Sequence, residues 1–276
     1  MPAWICVTCG VQHADTPDPP EACAICQDER QYVGWEGQRW TTLSGLAQDH
    51  RNEIREEEPG LLGIGVSPSF AIGQRALLVC TPNGNVLWDC VPPLDESVQQ
   101  EVGSRGGIEA ICLSHPHFYS CCVEWAETFN APVLVPTADR EWVCRPSRRI
   151  QLWSEDEVEV LPGLRLARIG GHFDGAAVLS WSAGADGRGA LLTGDTITVV
   201  QDREWVSFMW SYPNLIPLDA RSVQRIAQRV ERYRFDRIYG GWWGKVVRLD
   251  GPAAIRRSAD RYVAHLAASA AQPPVH

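Results

Sequence analysis

Short apolar runs bounded by turn residues are the main pattern from residue 41 onward, and they predict a series of β-strands. Residues 76–79 and 85–88 form two such runs, and the intervening Thr81-Pro-Asn-Gly84 predicts a tight hairpin between them. Further strands are predicted at residues 110–113, 132–135, 164–169, 177–181, 190–193 and 236–239.

Three segments instead repeat apolar residues every three or four positions, which predicts helices. One helix is predicted over residues 119–129, a second begins after Asp219 as its N-terminal cap, and the last follows Asp250 and Pro252. Strands and helices in this order are compatible with two sheets packed between helices. Periodicity alone does not choose this layout over other α/β folds.

Composition narrows the classes of protein and partner. The chain has 276 residues, 45% hydrophobic and 21% charged, which is typical of a globular protein with one extensive core or two domains. Its net charge of −9 argues against nucleic acid as a partner. The longest apolar runs are far below the roughly 20 residues of a membrane-spanning helix, so no membrane association is expected.

The ten cysteines bear on the cellular compartment. Four of them lie in the first 26 residues, and most of the others are embedded in apolar segments, where a free thiol packs as a small hydrophobic group. No signal peptide is recognised before Cys6. This usage predicts a reduced, cytoplasmic protein.

Two C-x-x-C pairs, Cys6-Val-Thr-Cys9 and Cys23-Ala-Ile-Cys26, predict a metal-binding module in residues 1–40. Each pair can direct two thiolates at one tetrahedral ion, and the ion supplies the folding energy that so short a segment lacks. The pairs resemble the knuckles of rubredoxin-like and zinc-ribbon domains. We expect one structural Zn²⁺, with iron as second choice and disulfides or free thiols as the metal-free alternative. His13, between the pairs, is expected in an exposed loop.

A second group of candidate ligands lies in the main domain, residues 41–276, at the ends of predicted strands. His115 and His117 follow the strand at 110–113, His172 follows two glycines, and Asp195 comes after the strand at 190–193. Polar residues in turns at strand ends are a common arrangement for a functional site. A glycine-rich segment that ends in Trp242-Trp243 follows the last predicted strand.

These segments, in this order, resemble the motifs of the metallo-β-lactamase superfamily over residues 60–270. The family has a first motif H-x-H-x-D-H, then Gly-His before a strand, Gly-Asp after a strand, and a final histidine. The resemblance implies an αββα sandwich with its metals at one edge of the two sheets. It also implies that the metal ligands of this chain are His115, His117, His172 and Asp195.

The chain departs from the family at the ligands of the second metal. Tyr119 stands at the family's Asp, Ser120 at its His, and Trp242 or Trp243 at the last His. We therefore expect one metal ion, not two. We also predict that the rings of Tyr119, Trp242 and Trp243 fill the space of the lost metal.

Three histidines and a carboxylate suit zinc, iron or manganese. A mononuclear hydrolase of small esters, thioesters or amides is the first hypothesis, with Asp195 as candidate base and Tyr119 either an oxyanion donor or a packing residue. A mononuclear iron oxidoreductase, similar to the persulfide dioxygenases of this fold, and a non-catalytic scaffold are the alternatives. The substrate is expected to be a small molecule in an aromatic pocket lined by Trp210, Tyr212, Trp242 and Trp243.

Overall fold

A computed structural model describes residues 1–270 and shows two sheets between helices, with a small module in front of them. The module contains strands β1 (Ala3–Cys6) and β2 (Gln12–Asp15), helix α1 (Ala24–Gln27) and strand β3 (Trp40–Thr41). These strands form a sheet of order β2-β1-β3. The predicted boundary at residue 40 falls within β3, and the division into two domains stays a prediction.

The first half of the main domain builds a seven-stranded sheet. Its elements are α2 (Leu43–Asp49), β4 (Arg51–Glu58), β5 (Leu61–Ser67), β6 (Ala76–Thr81), β7 (Gly84–Trp88), α3 (Glu96–Ser104), β8 (Ala110–Cys112), α4 (Cys122–Phe129), β9 (Val133–Pro136) and β10 (Ile150–Trp153). The strand order is β10-β9-β8-β7-β6-β5-β4, antiparallel from β4 to β7 and parallel from β7 to β10.

The second half builds a six-stranded sheet of order β11-β12-β13-β14-β19-β20 and two small hairpins. Its elements are β11 (Glu157–Leu161), β12 (Leu164–Arg168), β13 (Ala177–Trp181), the single turn α5 (Gly184–Gly187), β14 (Ala190–Gly194), β15 (Thr198–Val199), β16 (Val206–Ser207), β17 (Met209–Ser211), β18 (Ile216–Pro217), α6 (Ala220–Val230), β19 (Arg237–Gly240), β20 (Val246–Val247) and α7 (Gly251–Ala270).

Successive side chains along the strands point to opposite faces and pack into three apolar layers, one between the two sheets and one under the helices on each outer face. Leu77 and Val79 of β6 face the second sheet, whereas Leu78 packs under α3 and α4. In β14, Leu192 faces the first sheet and Leu191 packs toward α6 and α7. Because both faces of each sheet are covered, the central strands are near-continuous apolar runs. The predicted αββα sandwich is confirmed.

The observed elements differ from the predicted ones in a few places. The helix predicted over 119–129 begins only at Cys122, since Ser120 has a left-handed backbone (φ 43°) that breaks the helix before it. Strand β4, with sequence RNEIREEE, was not predicted, because charges cover this edge strand of the sheet. His13 lies buried in β2, so its placement in an exposed loop was wrong. Within residues 1–270, no helix has both the length and the hydrophobicity to cross a membrane.

Candidate functional site

Four candidate ligands converge at one edge of the sandwich. His115 follows β8, and His117 lies in the 3₁₀ turn Pro116–Phe118 directly after it. His172 lies in the loop between β12 and β13, and Asp195 comes directly after β14. One donor atom from each of these side chains lies within 4.8 Å of all the others, and all four residues are buried. The structure therefore brings together residues that are up to 80 positions apart in sequence.

The distances suit a single ion. His172 Nε2 lies 3.2 Å from His117 Nδ1, and Asp195 Oδ2 lies 3.5 Å from His115 Nε2 and 4.0 Å from His172 Nε2. Tetrahedral bonds of roughly 2.0–2.1 Å separate two ligand atoms by about 3.3 Å. His115 Nε2 is buried without a hydrogen-bond partner among the described residues, and a bound ion would supply one. The residues present thus fit a mononuclear metal.

Hydrogen bonds from outside the cluster orient its members. Ser114 Oγ lies 2.9 Å from His115 Nδ1, and His172 Nδ1 donates to the carbonyl oxygen of Met209 at 3.1 Å. These bonds leave Nε2 of both rings directed at the centre of the cluster. Such partners fix the ring orientation and the tautomer of a metal-binding histidine.

Asp195 is held in the same way. Its Oδ1 accepts a hydrogen bond from Thr198 Oγ1 at 3.1 Å, and its backbone carbonyl accepts one from Tyr212 Oη at 2.7 Å. Only Oδ2 points to the histidines, so one carboxylate oxygen is available to an ion.

The charge states of the cluster favour metal binding. Burial, and next the mutual repulsion with His115, lowers the pKa of His172 to about 4, and burial with the neighbouring His172 lowers that of His117 well below its ordinary value. Burial opposes ionisation of Asp195, but the neighbouring His115 and His172 outweigh it and lower the pKa of this carboxyl. At neutral pH, His117 and His172 therefore present lone pairs and Asp195 a negative charge.

A pocket of about 320 Å³ opens beside the cluster. His117, His172 and Asp195 contribute to its wall, together with Tyr212, Trp242 and Arg30. Burial, and next the charge of Asp195, raises the pKa of Tyr212 well above its usual range, so its hydroxyl stays protonated. The pocket is thus an aromatic cavity with one cation on its rim, directly at the candidate metal centre.

Trp243, which the sequence places among the expected pocket residues, does not line this pocket. Its ring lies over β5, where a Cβ on Gly65 would come within 2.6 Å of its Nε1, and Arg55 stacks on it at 4.4 Å. Trp242 does line the pocket, and its Nε1 donates to the carbonyl oxygen of Ile72. Trp210 is not among the lining residues, but its ring lies 4.6 Å from the guanidinium of Arg30, which is one of them.

Tyr119 does not reach the pocket either. It is buried in the apolar layer under α4, and burial raises its pKa well above the usual range. The structure places Tyr119 among packing residues, the alternative to the oxyanion role, and shows no contact of its ring with the site that would support the space-filling role. The rings beside the histidines are Phe173, 5.0 Å from His117, and Phe118, 4.6 Å from His115 and 5.6 Å from Trp242. Sequence reasoning missed Phe118, since it lies between motif positions.

Two further residues of the site were missed. Arg30 reaches the pocket from the four-cysteine module, and no motif marks it. Asp89 is buried at the end of β7, and its Oδ1 accepts a hydrogen bond from the backbone N–H of Ser114, next to His115. Its signal was a lone aspartate directly after an apolar strand.

The four cysteines form a second cluster. Cys6 Sγ lies 3.5 Å from Cys26 Sγ, and Cys9 Sγ lies 3.7 Å from Cys23 Sγ. A tetrahedral site with metal–sulfur bonds of roughly 2.3 Å separates its sulfur atoms by about 3.8 Å, whereas a disulfide needs about 2.05 Å. All ten cysteines are free. The cluster therefore fits a metal, and disulfides are absent.

Comparison with known proteins supports the fold and the family. The sequence profile of the metallo-beta-lactamase superfamily matches residues 71–242. The uncharacterized protein YmaE of Bacillus subtilis (strain 168) is 52% identical over 265 residues, or 95% of this chain and 96% of that protein. The structure resembles VMB-1 with a TM-score of 0.58 at 12% identity, over 78% of this chain and 98% of the other. It resembles a Cronobacter sakazakii metallo-beta-lactamase with a HARLDQ motif with a TM-score of 0.51 at 19% identity, over 80% and 90%. At these identities the structural likeness concerns the fold alone.

Proposed function

The chain belongs to the metallo-beta-lactamase superfamily, and on that premise we propose that it is a mononuclear metal-dependent hydrolase of a small ester, thioester or amide. The observation that carries this proposal is the convergence of four buried ligand atoms beside a pocket of small-molecule size. The proposed ligands are His115, His117, His172 and Asp195.

A zinc ion at such a site polarises a carbonyl group and makes water a stronger acid, and iron or manganese are the alternatives. The chain itself orients and screens the reactants. Trp242 and Tyr212 form aromatic walls beside the proposed ligands, and the Tyr212 hydroxyl holds the backbone of Asp195. Asp195 is the proposed base, because its carboxylate is ionised, lines the pocket and directs only Oδ2 at the histidines.

An iron oxidoreductase is the second candidate, and one observation favours it. The three atoms His115 Nε2, His172 Nε2 and Asp195 Oδ2 form a two-histidine, one-carboxylate group, with the carboxylate within 4.0 Å of both nitrogens. This donor set is typical of non-haem iron enzymes. The native metal discriminates between the two: zinc supports hydrolysis, and iron supports oxidation.

For residues 1–40 we propose one structural zinc ion, with iron as the alternative, held by Cys6, Cys9, Cys23 and Cys26. The separations of the sulfur atoms and the small apolar core around them support this assignment. The free state of all ten cysteines supports the further proposal that the protein works in the cytoplasm.

The test is a metal count on untagged full-length protein purified without added metal. We expect two equivalents per chain in the wild type, one in His172→Ala and one in Cys23→Ser. His50→Ala, outside both clusters, is the control and should keep two. Hydrolysis of small aryl esters, thioesters and amides should fall at least about 100-fold in His172→Ala. Undiminished metal content and hydrolysis in that variant would refute the assignment.

A further inference from the structure

The segment that follows the last cysteine of the four-cysteine module crosses to the main site. Arg30, four positions after Cys26, is only 8% exposed, and it forms an ion pair with Asp28 in which Nε lies 2.5 Å from Oδ1. A second bond joins its Nη2 to Oδ2 of the same carboxylate at 2.9 Å. Its Nη1 donates to the backbone carbonyl of His172 at 3.2 Å. The guanidinium is thus fixed on the module side and bound to the backbone of a proposed metal ligand.

The guanidinium of Arg30 also stacks on two aromatic rings. One belongs to the residue after His172, and the other to the residue after Met209, which holds the His172 ring. Phe173, the next residue after His172, lies 3.8 Å from the Arg30 Cζ, and Trp210 lies at 4.6 Å. Trp210 follows Met209, whose carbonyl oxygen accepts the Nδ1 hydrogen bond of His172. Arg30 therefore touches both segments that set the position and the rotation of the His172 ring.

Neighbours of Arg30 join the module to the segment that contains Met209 and Trp210. Trp210 Nε1 donates to Glu29 Oε1 at 2.8 Å, and Asn214 Nδ2 donates to the backbone carbonyls of Glu29 and Gln31 at 2.9 and 3.1 Å. Arg30 and Gln31 also form part of the pocket wall. The module therefore completes the site and does not merely precede it in the chain.

We propose that Arg30 is a positioning residue through which the folded, metal-loaded four-cysteine module holds His172 in its metal-binding orientation. The inference rests on the proposed main metal site. A four-cysteine segment of this size depends on its ion for folding, so an empty module would release Arg30. Loading of the cysteine site would then tighten metal binding at the histidine site, and the two sites would be coupled.

The first experiment compares Arg30→Gln and Arg30→Lys with the wild type in the full chain. The control is Arg39→Gln, because Arg39 lies in the same module, is 63% exposed and forms its ion pair with Glu36 of the module itself. For each variant, the metal that the histidine site retains is measured by dialysis against increasing concentrations of chelator. Alkylation of the cysteines reports whether the module still holds its metal. We expect Arg30→Gln to weaken the histidine site about 10-fold with the module still loaded, as for other outer partners of metal ligands. The lysine variant should recover part of this loss, since it keeps the charge but not the two-point contact with Asp28.

The second experiment tests the coupling. Cys23→Ser should weaken the histidine site as much as Arg30→Gln does, and the double variant should be no worse than either, with Cys80→Ser as control. Hydrogen exchange of residues 170–176 should rise in both single variants, whether or not metal is added. Wild-type protein without metal at the histidines would overturn the proposed function. Unchanged exchange at 170–176 in Arg30→Gln, or full additivity in the double variant, would overturn this inference.

Discussion

The carboxyl group of Asp139 is fully buried, and its Oδ1 accepts a hydrogen bond from the backbone N–H of Gly175 while its Oδ2 has no partner among the described residues. Burial raises the pKa of this carboxyl from 3.8 to about 7, against the opposing effect of the Gly175 hydrogen bond. We predict that Asp139→Asn, which keeps the shape and the acceptor but cannot ionise, stabilises the protein at alkaline pH.

The sign and the size follow from the two pKa values. Between pH 3.8 and about 7 the folded protein keeps a proton on Asp139 that the unfolded chain has lost, so the free energy of unfolding falls as the pH rises through this range. The full loss is about 4 kcal/mol, at roughly 1.4 kcal/mol per unit of pKa. About 2 kcal/mol of it is already present at pH 5, and little is added above pH 8. The asparagine variant avoids the whole loss.

The assay is urea unfolding of metal-loaded wild type and Asp139→Asn at several values between pH 5 and pH 8. The variant's advantage should grow by about 2–3 kcal/mol over this range. Other ionisable groups cancel in the difference, because both proteins share them. Asp260→Asn, which removes an exposed carboxyl from α7, is the matched control and should follow the wild type. An advantage that stays constant or shrinks with rising pH would show that Asp139 is not held protonated by burial.

Three further outcomes are expected. Trp243→His should leave the metal count of the main site unchanged, because the ring lies over Gly65 and not in the pocket; a gained equivalent by elemental analysis would contradict this. Trp125→Phe should lower the free energy of unfolding by about 1–3 kcal/mol in urea titrations, since the buried carbonyl of Val91 loses the indole N–H at 2.9 Å; an unchanged midpoint would argue against that bond. Burial raises the pKa of Asp89 well above its usual range, so Asp89→Asn should unfold at nearly the wild-type urea concentration at neutral pH, whereas Asp89→Ala should lose about 1–3 kcal/mol; equal losses in both would mean that the carboxylate is ionised.

Much of the fold was predictable because the strands of the inner layers are continuous apolar runs. Strands β13 and β14 were predicted to within a residue, since both of their faces are covered and every position is apolar or small. Strand β4 was missed because an edge strand satisfies half its backbone in the sheet and tolerates charges along its length. A central strand and an edge strand have the same extended backbone, and they differ only in what covers their faces and edges.

The proposed ligand sets were also predictable, because their local parts are short in sequence. A C-x-x-C knuckle and the His115–His117 pair each place two donors within one turn, and the superfamily resemblance supplied His172 and Asp195. Their convergence within 4.8 Å agrees with that resemblance, while their role as ligands stays a prediction until metal is measured.

The sequence by itself determined which residues could bind metal and which segments form the sheets, because these depend on spacing along a few residues and on apolar periodicity. Only the tertiary structure decided which side chains surround the site. Trp242 and Trp243 are neighbours in sequence, yet they lie in the turn between β19 and β20, and one lines the pocket while the other covers β5. Arg30 meets His172 across 142 positions of sequence. A contact of that range depends on how the module packs on the main domain, and no local pattern of residues encodes that packing.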